Sequence, residues 1–458
     1  MKTPGGLAVV PGARACADSM RAAGRYAAHG ARAVQQVLGK LRGAGWALAD
    51  QSVVSGANFI TIYLYARYLE TSIFGAFMLA YTGLLLLTNM QNALLVQPHS
   101  VLAAPLEPPA YRRFTGALVA LQALYCLAVC AGLGALGFIV MALYSPATGT
   151  VLIALAITAP PWMGQEFVRR VLYTRGQYRA AALNDGITYG LQLYGALVLV
   201  HAVAGRATPA SALCVLGLSS LVGVMIGAWQ LREHVQFGRK ERGFYRRPWA
   251  QVWHFGRWLA AQNGLAWFGA QGHSWVVGLM LGVEQVGIYR AATHLMNVMN
   301  PVFQACFTYL PSRCSLAYHA GGLSGLSQWV RRMMRVLLLA LVPFCVVLVG
   351  FPGAVLEFAY GDKFSGTHLA LILALATIAQ GIGFSKYPFD LGLLALRSTK
   401  SIFYAYLIPV VLLLTVGTSL IGLLGILGVP LSVMVINSAL LAATWLAYRR
   451  TMRRQGSA

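Results

Sequence analysis

This chain has 458 residues, of which 58% are hydrophobic and only 10% are charged. Soluble domains carry about 25% charged residues, so the composition excludes an ordinary soluble enzyme or binding module. The formal net charge of +23 would suit a nucleic-acid-binding protein, but the basic residues follow a membrane topology instead.

Twelve apolar segments follow one another along the chain, each close to the ~20 residues that an α-helix needs to cross a bilayer. They are predicted at 47–68, 74–97, 114–143, 148–168, 182–203, 209–230, 252–281, 287–310, 333–353, 367–386, 401–422 and 428–448. Their length and continuous apolar character favour helices over the strands of a membrane barrel. We therefore expect an all-α polytopic membrane protein.

The basic residues orient these segments. With both termini in the cytoplasm, the outer side receives only Arg67, Arg206, Arg290 and Lys363 of the 35 lysines and arginines. This asymmetry is the one that the positive-inside rule predicts. Residues 1–45 form a basic cytoplasmic leader without the apolar core of a signal peptide. Three readings remain open for it: an amphipathic helix on anionic lipid, a disordered tail, and a start codon assigned too early.

The chain repeats itself at a shift of 212 residues. Trp46 then falls on Trp258, and Gly75 on Gly287. A six-helix period means that both halves enter the membrane in the same direction, so the two halves are related by a pseudo-two-fold axis along the membrane normal. We expect an N lobe at 46–230, a basic linker at 231–250, a C lobe at 251–448 and a basic tail at 449–458.

Polar residues recur at helical spacing in both halves. Segment one carries Gln51, Ser55, Asn58, Thr61 and Tyr65, and segment eight carries Tyr289, Thr293, Asn297, Asn300 and Gln304. Positions three and four apart share one face of a helix. Two interpretations stay open: hydrogen bonds between packed helices, and the lining of an aqueous cavity between the lobes. The length of the stripes favours the cavity.

Charged residues within the segments are costly and mark partners or cavities. They are Asp50, Glu166, Arg169, Arg170, Asp185, Arg257, Arg290, Lys386 and Asp390, with Arg67 near an outer end. Extension of the side chain to lipid headgroups is the alternative for Arg169, Arg170 and Arg175. An excess of arginine and lysine over carboxylate suits an anionic cargo.

Motifs for catalysis and metal binding are missing from the sequence. It contains no G-x-x-x-x-G-K-[ST], no H-E-x-x-H and no G-x-S-x-G motif. The seven cysteines form no C-x-x-C pair, so we predict neither a metal site nor a disulfide framework. The connecting segments are too short to hold a soluble catalytic domain. We therefore expect neither an enzyme nor a bound cofactor.

Three stretches resemble the polysaccharide flippases, the O-antigen and exopolysaccharide branch of the multidrug/oligosaccharidyl-lipid/polysaccharide (MOP) exporter superfamily. They are "DQSVVSGANF" (50–59), "ARYLETSIFGAFMLAY" (66–81) and "QEFVRRVLYTRGQYRAAALNDGITYGLQLYG" (165–195). The resemblance implies two rocking six-helix lobes in a bacterial inner membrane. It also implies a carrier that moves undecaprenyl-pyrophosphate-linked oligosaccharide from the inner to the outer leaflet, driven by a proton or sodium gradient.

On this reading the polar and basic residues of the stripes line a cavity for the sugar–pyrophosphate headgroup. The predicted cavity residues are Gln51, Asn58, Arg67, Arg257, Arg290, Asn297, Asn300, Gln304 and Lys386. Asp50, Glu166, Arg170 and Asp185 are predicted to form gate pairs, with Asp50 and Asp185 as candidates for the coupling-ion site. The expected partners are membrane lipid, the lipid-linked glycan and the polymerase or glycosyltransferases of its pathway, with the chain acting as a monomer.

Three other functions remain open. A multidrug–cation antiporter of MATE-like type would share the architecture but would want deep carboxylates for cationic drugs. A membrane polymerase, ligase or glycosyltransferase would need a large outer loop or paired catalytic carboxylates. A scaffold of a glycan-assembly complex would have little use for two polar stripes. The sequence ranks the flippase first.

Overall fold

The computed structural model describes residues 45–456 except 104, 203, 239–241, 365–367 and 397. The side chains of 204, 242, 243, 299–309, 311, 312, 315, 399, 400, 402, 403 and 456 also lie outside the described part. The predicted leader therefore falls almost entirely outside the described residues.

Within the described residues, six long helices form the first half of the chain, here called the N lobe. They are α1 (45–68), α2 (Thr71–Leu102), α3 (Pro108–Leu143), α4 (Pro146–Thr174), α5 (Tyr178–Ala202) and α6 (Pro209–Leu231). Local signals set several starts. Proline occupies the first turn of α3, α4 and α6, where its missing N–H costs nothing. Thr208 and Ser211 form a reciprocal capping box at the start of α6.

Six more helices form the second half, the C lobe. α7 is Arg242–Leu281 and α8 begins as Val283–Met296, which continues through the turn Asn297–Met299 into the run Asn300–Gly350. Gly322, with φ 57°, divides that run, and its second part (323–350) is α9. The remaining helices are α10 (Leu369–Ser385, continued by Tyr387–Ala395), α11 (Thr399–Leu412, continued to Leu424) and α12 (Gly428–Gly456).

The twelve-helix architecture predicted from hydropathy is confirmed. Two helices extend well beyond their predicted spans, since α7 already begins at Arg242 and α12 runs on to Gly456. Seven helical stretches of the described chain are apolar and long enough to cross a membrane by length and composition.

Two ends of the bundle are used as reference points below. The linker end is where α6 stops and α7 starts, and the far end is the opposite one. The far end carries the short loop helix Pro352–Tyr360 and the turn Gly361–Phe364. Because consecutive helices alternate in direction, α1 runs from the linker end to the far end and α8 runs back.

The lobes meet closely where α2 passes α8. A Cβ atom built on Gly75 would lie 1.8 Å from the Val283 carbonyl oxygen, and one on Gly287 would lie 2.3 Å from the Thr71 carbonyl oxygen. Only glycine permits such a backbone approach, which is a common device of membrane helix pairs. The Trp275 indole of α7 also donates to Thr82 of α2 at 3.0 Å. These contacts hold the far halves of the lobes together.

Candidate functional site

A cavity of about 710 Å³ lies among α7, α8, α10, α11 and α12. It is therefore a feature of the C lobe rather than of the space between the lobes. Its polar lining is Gln271, His273, Ser274, Tyr289, Arg290, Thr293, Asn297, Gln380, Lys386, Tyr387, Asp390, Tyr406 and Asn437. Three of the nine predicted cavity residues, Arg290, Asn297 and Lys386, come together here.

Arg290 projects from α8 into this cavity. One of its terminal nitrogens donates to the Gln271 side-chain oxygen at 2.5 Å. Its Nε is buried and has no hydrogen-bond partner. An arginine held by a neutral amide keeps its full positive charge uncompensated, and a guanidinium offers a planar fork of donors that fits phosphate oxygens. The cavity thus contains an arginine with donor capacity to spare.

Lys386 lies toward the linker end of the same cavity. Its Nζ donates to Asp390 Oδ2 at 2.6 Å and to the Tyr406 hydroxyl at 3.1 Å. The pair is largely buried, with side-chain exposures of 16% and 13%. Asp390 neutralises Lys386, whereas no described ion pair neutralises Arg290. The lining therefore carries a net positive charge, which favours an anionic group.

A second cluster lies inside the N lobe near its linker end. Asp50 of α1 is fully buried and accepts from the Tyr173 hydroxyl of α4 at 2.5 Å, while its other oxygen has no partner. Asp185 of α5 accepts from Gln165 at 2.5 Å. Glu166 pairs with Arg170 at 2.9 Å, as the four-residue spacing predicts. All four predicted gate residues therefore belong to one cluster that joins α1, α4 and α5.

Arg169, for which extension to lipid headgroups was one of the two predicted alternatives, lies in the interior of this cluster. Its side chain is only 11% exposed, pairs with Glu166, and lies 3.5 Å from Asp185. The three-residue spacing between Glu166 and Arg169 was the sequence signal that these two side chains could pair. The decisive partner, Asp185, is on another helix, and spacing within α4 says nothing about it.

Arg67 lies at the far end of α1 and bridges the lobes. Its guanidinium donates to the Ala359 carbonyl of the loop helix at 2.8 Å and to the Tyr63 hydroxyl at 2.7 Å. Tyr63 also donates to that carbonyl at 2.8 Å. We call the contacts of Tyr63, Arg67 and Lys363 with the opposite lobe the far-end closure.

Lys363 completes this closure from the C lobe. Its Nζ donates to the Ala66 carbonyl at 2.6 Å and to the Leu69 carbonyl, both at the end of α1. Partial burial lowers the pKa of Lys363 to about 8, an effect that the Glu70 carboxylate opposes. The sequence did not single out Lys363 as a site residue, because a lysine in a short outer loop carries no helical pattern.

The lobes are joined differently along the two halves of α1. Phe59 accepts a hydrogen bond at its carbonyl from His294 of α8 at 2.9 Å, in the tautomer that places the proton on Nε2, and the two rings stack. Before Phe59, the described hydrogen bonds of α1 stay within the N lobe. The far end is thus the closed side of the interface that α1 makes.

The other predicted cavity residues lie in separate places. Gln51 is exposed and bonds Ser55 at 3.0 Å, Asn58 accepts from Gln192 of α5 at 3.1 Å, and Arg257 lies over the Trp258 ring at the linker end. The bond of Asn58 is of the kind that joins packed helices, the alternative considered for the stripe. The side chains of Asn300 and Gln304 lie outside the described residues.

Solved structures with the same fold are membrane transporters. An inward-facing multidrug resistance MATE family transporter of the MOP superfamily matches with a TM-score of 0.69 and 13% identity, covering 89% of this chain and 96% of that one. The lipid II flippase MurJ in its inward closed conformation matches with a TM-score of 0.65 and 11% identity, covering 88% and 87%. A MOP superfamily transporter from Pyrococcus furiosus reaches 0.62 and 12%, covering 91% and 95%.

The fold is therefore that of the MOP superfamily, as the resemblance implied. No curated protein sequence matches the chain. A model of the family described as "Polysaccharide biosynthesis protein" matches residues 114–368, which is more than half of the chain. This multi-pass membrane protein accordingly belongs to the polysaccharide biosynthesis protein family.

Proposed function

We propose that the chain is a flippase that moves undecaprenyl-pyrophosphate-linked oligosaccharide from the inner to the outer leaflet of the bacterial cytoplasmic membrane. The linker end then faces the cytoplasm, in accord with the distribution of basic residues. The product is an exopolysaccharide, O-antigen or capsule repeat unit ready for assembly. The family match and the MOP fold support a transporter of this kind.

The observation that carries the proposal is the cationic cavity of the C lobe. A pyrophosphate cannot cross hydrocarbon alone, because burial of an unpaired charge costs many kcal/mol. Arg290 offers free donor capacity, and the amides of Gln271, Gln380 and Asn437 line the same cavity. Amides and hydroxyls bind sugar hydroxyls, so the same cavity suits a sugar attached to a pyrophosphate. The lipid tail would remain in the bilayer.

Alternating access supplies the movement. In the conformation described, the far-end closure joins the lobes through Arg67, Tyr63 and Lys363. We propose that this closure opens toward the outer leaflet while the linker end closes, with Arg257 near that mouth. We propose that Gln51, Asn58, Asn300 and Gln304 line the cavity in the opposite state of the cycle, in which the contacts between the lobes have changed.

The N-lobe cluster is our candidate for energy coupling. Asp50 is buried with one carboxylate oxygen unpartnered, and Asp185 shares Arg169 with Glu166. A proton or a sodium ion on Asp50 or Asp185 would change the charge that holds α1 against α4 and α5. An ion that binds one state better than the other shifts the equilibrium between them. Glu166 and Arg170 would keep this end of α4 in place.

The test uses cells that lack the chain but retain the glycosyltransferases of the glycan pathway. In spheroplasts, the lipid-linked oligosaccharide should accumulate out of reach of an impermeant glycosidase, and the restored chain should reverse this. Arg290→Gln should reduce the rescue about tenfold or more, because a charge-assisted hydrogen bond contributes about 1.5–3 kcal/mol. Arg206→Gln, a far-end arginine outside the cavity, is the matched control. Accumulation on the outer face would contradict a translocation role.

The multidrug–cation antiporter is the second candidate, since Asp50, Glu166 and Asp185 are three buried carboxylates in one lobe. Arg169 and Arg170 compensate part of their charge, which leaves less for a cationic drug. Unchanged glycan export together with raised sensitivity to cationic dyes in the deletion strain would favour the antiporter. We assign the chain no catalytic step or bound cofactor, and propose that it acts as a monomer beside the pathway's polymerase and glycosyltransferases.

A further inference from the structure

A second concave surface lies at the linker end, outside the cavity described above. It is a groove of about 1120 Å³ between the start of α3 and the start of α7. Its walls are mostly apolar, and the side chains that matter most are Leu106, Ala110, Phe114, Phe244, Pro248 and Phe255. We call it the linker-end groove. None of its lining residues belongs to the cationic cavity or to the far-end closure.

The groove is basic at its polar positions. Arg113 of α3 and Arg247 of α7 line it from opposite walls, together with His254. Both arginines are exposed, and neither has an ion-pair partner among the described salt bridges. No aspartate or glutamate lines the groove. An occupant of this surface therefore needs a long apolar part and a negatively charged group beside it.

Exposed tryptophans place the groove at the depth of lipid headgroups. Trp249, Trp253 and Trp258 of α7 are 43%, 46% and 73% exposed, and the first two rings stack with centroids 5.8 Å apart. Tryptophan concentrates at membrane–water interfaces because its ring is apolar and its N–H is polar. The length of α7 agrees: forty residues extend about 60 Å, against ~30 Å of hydrocarbon, so its first turns project beyond the hydrocarbon.

We propose that the linker-end groove is a binding site for an anionic phospholipid of the surrounding membrane. The headgroup phosphate binds Arg113 and Arg247, and an acyl chain lies along the apolar wall. A soluble peptide would have to enter a groove that the tryptophan belt places within the membrane interface, so a lipid fits better. Basic pockets between membrane helices on the cytoplasmic side bind anionic lipid headgroups by this chemistry. The proposal does not depend on which cargo the chain transports.

The test measures lipid retained by the purified full chain. The protein is reconstituted in nanodiscs of phosphatidylcholine and phosphatidylglycerol, released, and examined by native mass spectrometry for bound lipid. We expect selective retention of phosphatidylglycerol. Arg113→Gln combined with Arg247→Gln should weaken it about 25-fold, because each cation near an anionic surface contributes roughly a fivefold gain in affinity. The control pair, Arg449→Gln with Arg450→Gln on α12, should retain the lipid.

Two further variants keep the test independent of folding defects. Arg113→Lys with Arg247→Lys preserves the charge and should retain phosphatidylglycerol. Ala110→Trp fills the groove without a change of charge and should lose it. Equal retention of phosphatidylcholine would overturn the anionic specificity. Undiminished retention of phosphatidylglycerol by the Arg113→Gln, Arg247→Gln variant would show that the lipid does not bind in the linker-end groove. Displacement of the phospholipid by a trace of isoprenyl pyrophosphate would overturn the assignment to bulk lipid, and would make the groove an entry path for the carrier lipid instead.

Discussion

Arg67 offers the clearest test of how the lobes work, because two roles for it make different predictions. As a cavity residue it would attract the anionic headgroup. As a member of the far-end closure it donates to the Ala359 carbonyl across the lobes at 2.8 Å. Replacement by methionine keeps the length of the apolar stem and removes the donors. The closure role predicts a shift of conformation in the absence of any cargo.

The size of that shift follows from the contacts. A hydrogen bond from a charged donor is stronger than one between neutral groups, but solvent screens the accessible guanidinium of Arg67 and weakens its contribution. Tyr63 keeps its own bond to the same carbonyl at 2.8 Å, so that oxygen is not left unpaired. We therefore expect Arg67→Met to raise the ratio of far-end-open to far-end-closed molecules about two- to fivefold.

Spin labels on two exposed far-end residues, Tyr144 of the N lobe and Phe358 of the C lobe, report this ratio as a distance distribution in a cysteine-free background. These side chains are 85% and 89% exposed, so the labels should not disturb packing. Arg67→Met should raise the long-distance population, and Arg206→Met should leave it unchanged. A distribution identical to that of the parent, with weaker binding of the pyrophosphate lipid, would refute the closure role and support the cavity role.

Two further predictions concern the contact between the lobes. Gly75→Ala should lower the melting temperature in detergent by several degrees, because its Cβ would collide with the Val283 carbonyl and such overpacking costs about 1–3 kcal/mol. Gly132→Ala on α3, where a Cβ meets nothing within 4 Å, should leave the melting temperature unchanged. Equal melting temperatures of the two variants would contradict the close approach of α2 and α8. The closed population should grow as the pH rises from about 8 toward 10, because burial lowers the pKa of Lys363 to about 8 only in the closed state. In the open state Lys363 is solvated and keeps its proton over that range, so a falling pH favours opening. Lys363→Met should therefore remove the pH dependence of the closed population measured by the spin labels. An unchanged pH dependence in this variant would exclude Lys363 as its source.

Hydropathy alone predicted the twelve helices, because the bilayer sets one length for every span. The ends were harder to predict wherever a helix leaves the hydrocarbon. The basic run at 242–250 reads as a loop by charge, yet it forms the first turns of α7 although it contains both Gly243 and Pro248. The break at Gly322, where φ is positive, lies between predicted segments 287–310 and 333–353, so hydropathy did separate these two helices although it did not predict how far each one extends.

Helix periodicity predicts which residues share a face of a helix, but it does not predict which neighbouring helix that face contacts. Periodicity placed Asn58, Thr61 and Tyr65 on one stripe of α1, and the structure keeps them on one side of it. What that stripe meets changes with depth. Near the linker end Asp50 meets Tyr173, and in the middle Asn58 and Thr61 meet Gln192, all within the N lobe. Toward the far end Tyr63 and Arg67, on an adjoining face, meet the opposite lobe.

One continuous helix thus connects the buried carboxylates to the far-end closure. The seventeen positions from Asp50 to Arg67 extend about 25 Å along α1. Because the hydrogen-bonded backbone of α1 is unbroken, a tilt imposed by the charge cluster at one end is transmitted to the carbonyl contacts at the other. Loss or gain of charge at Asp50 would therefore act on the Arg67 contact without any residue between them changing partners. This is the physical link by which a coupling ion in the N lobe would control which face of the membrane the C-lobe cavity meets.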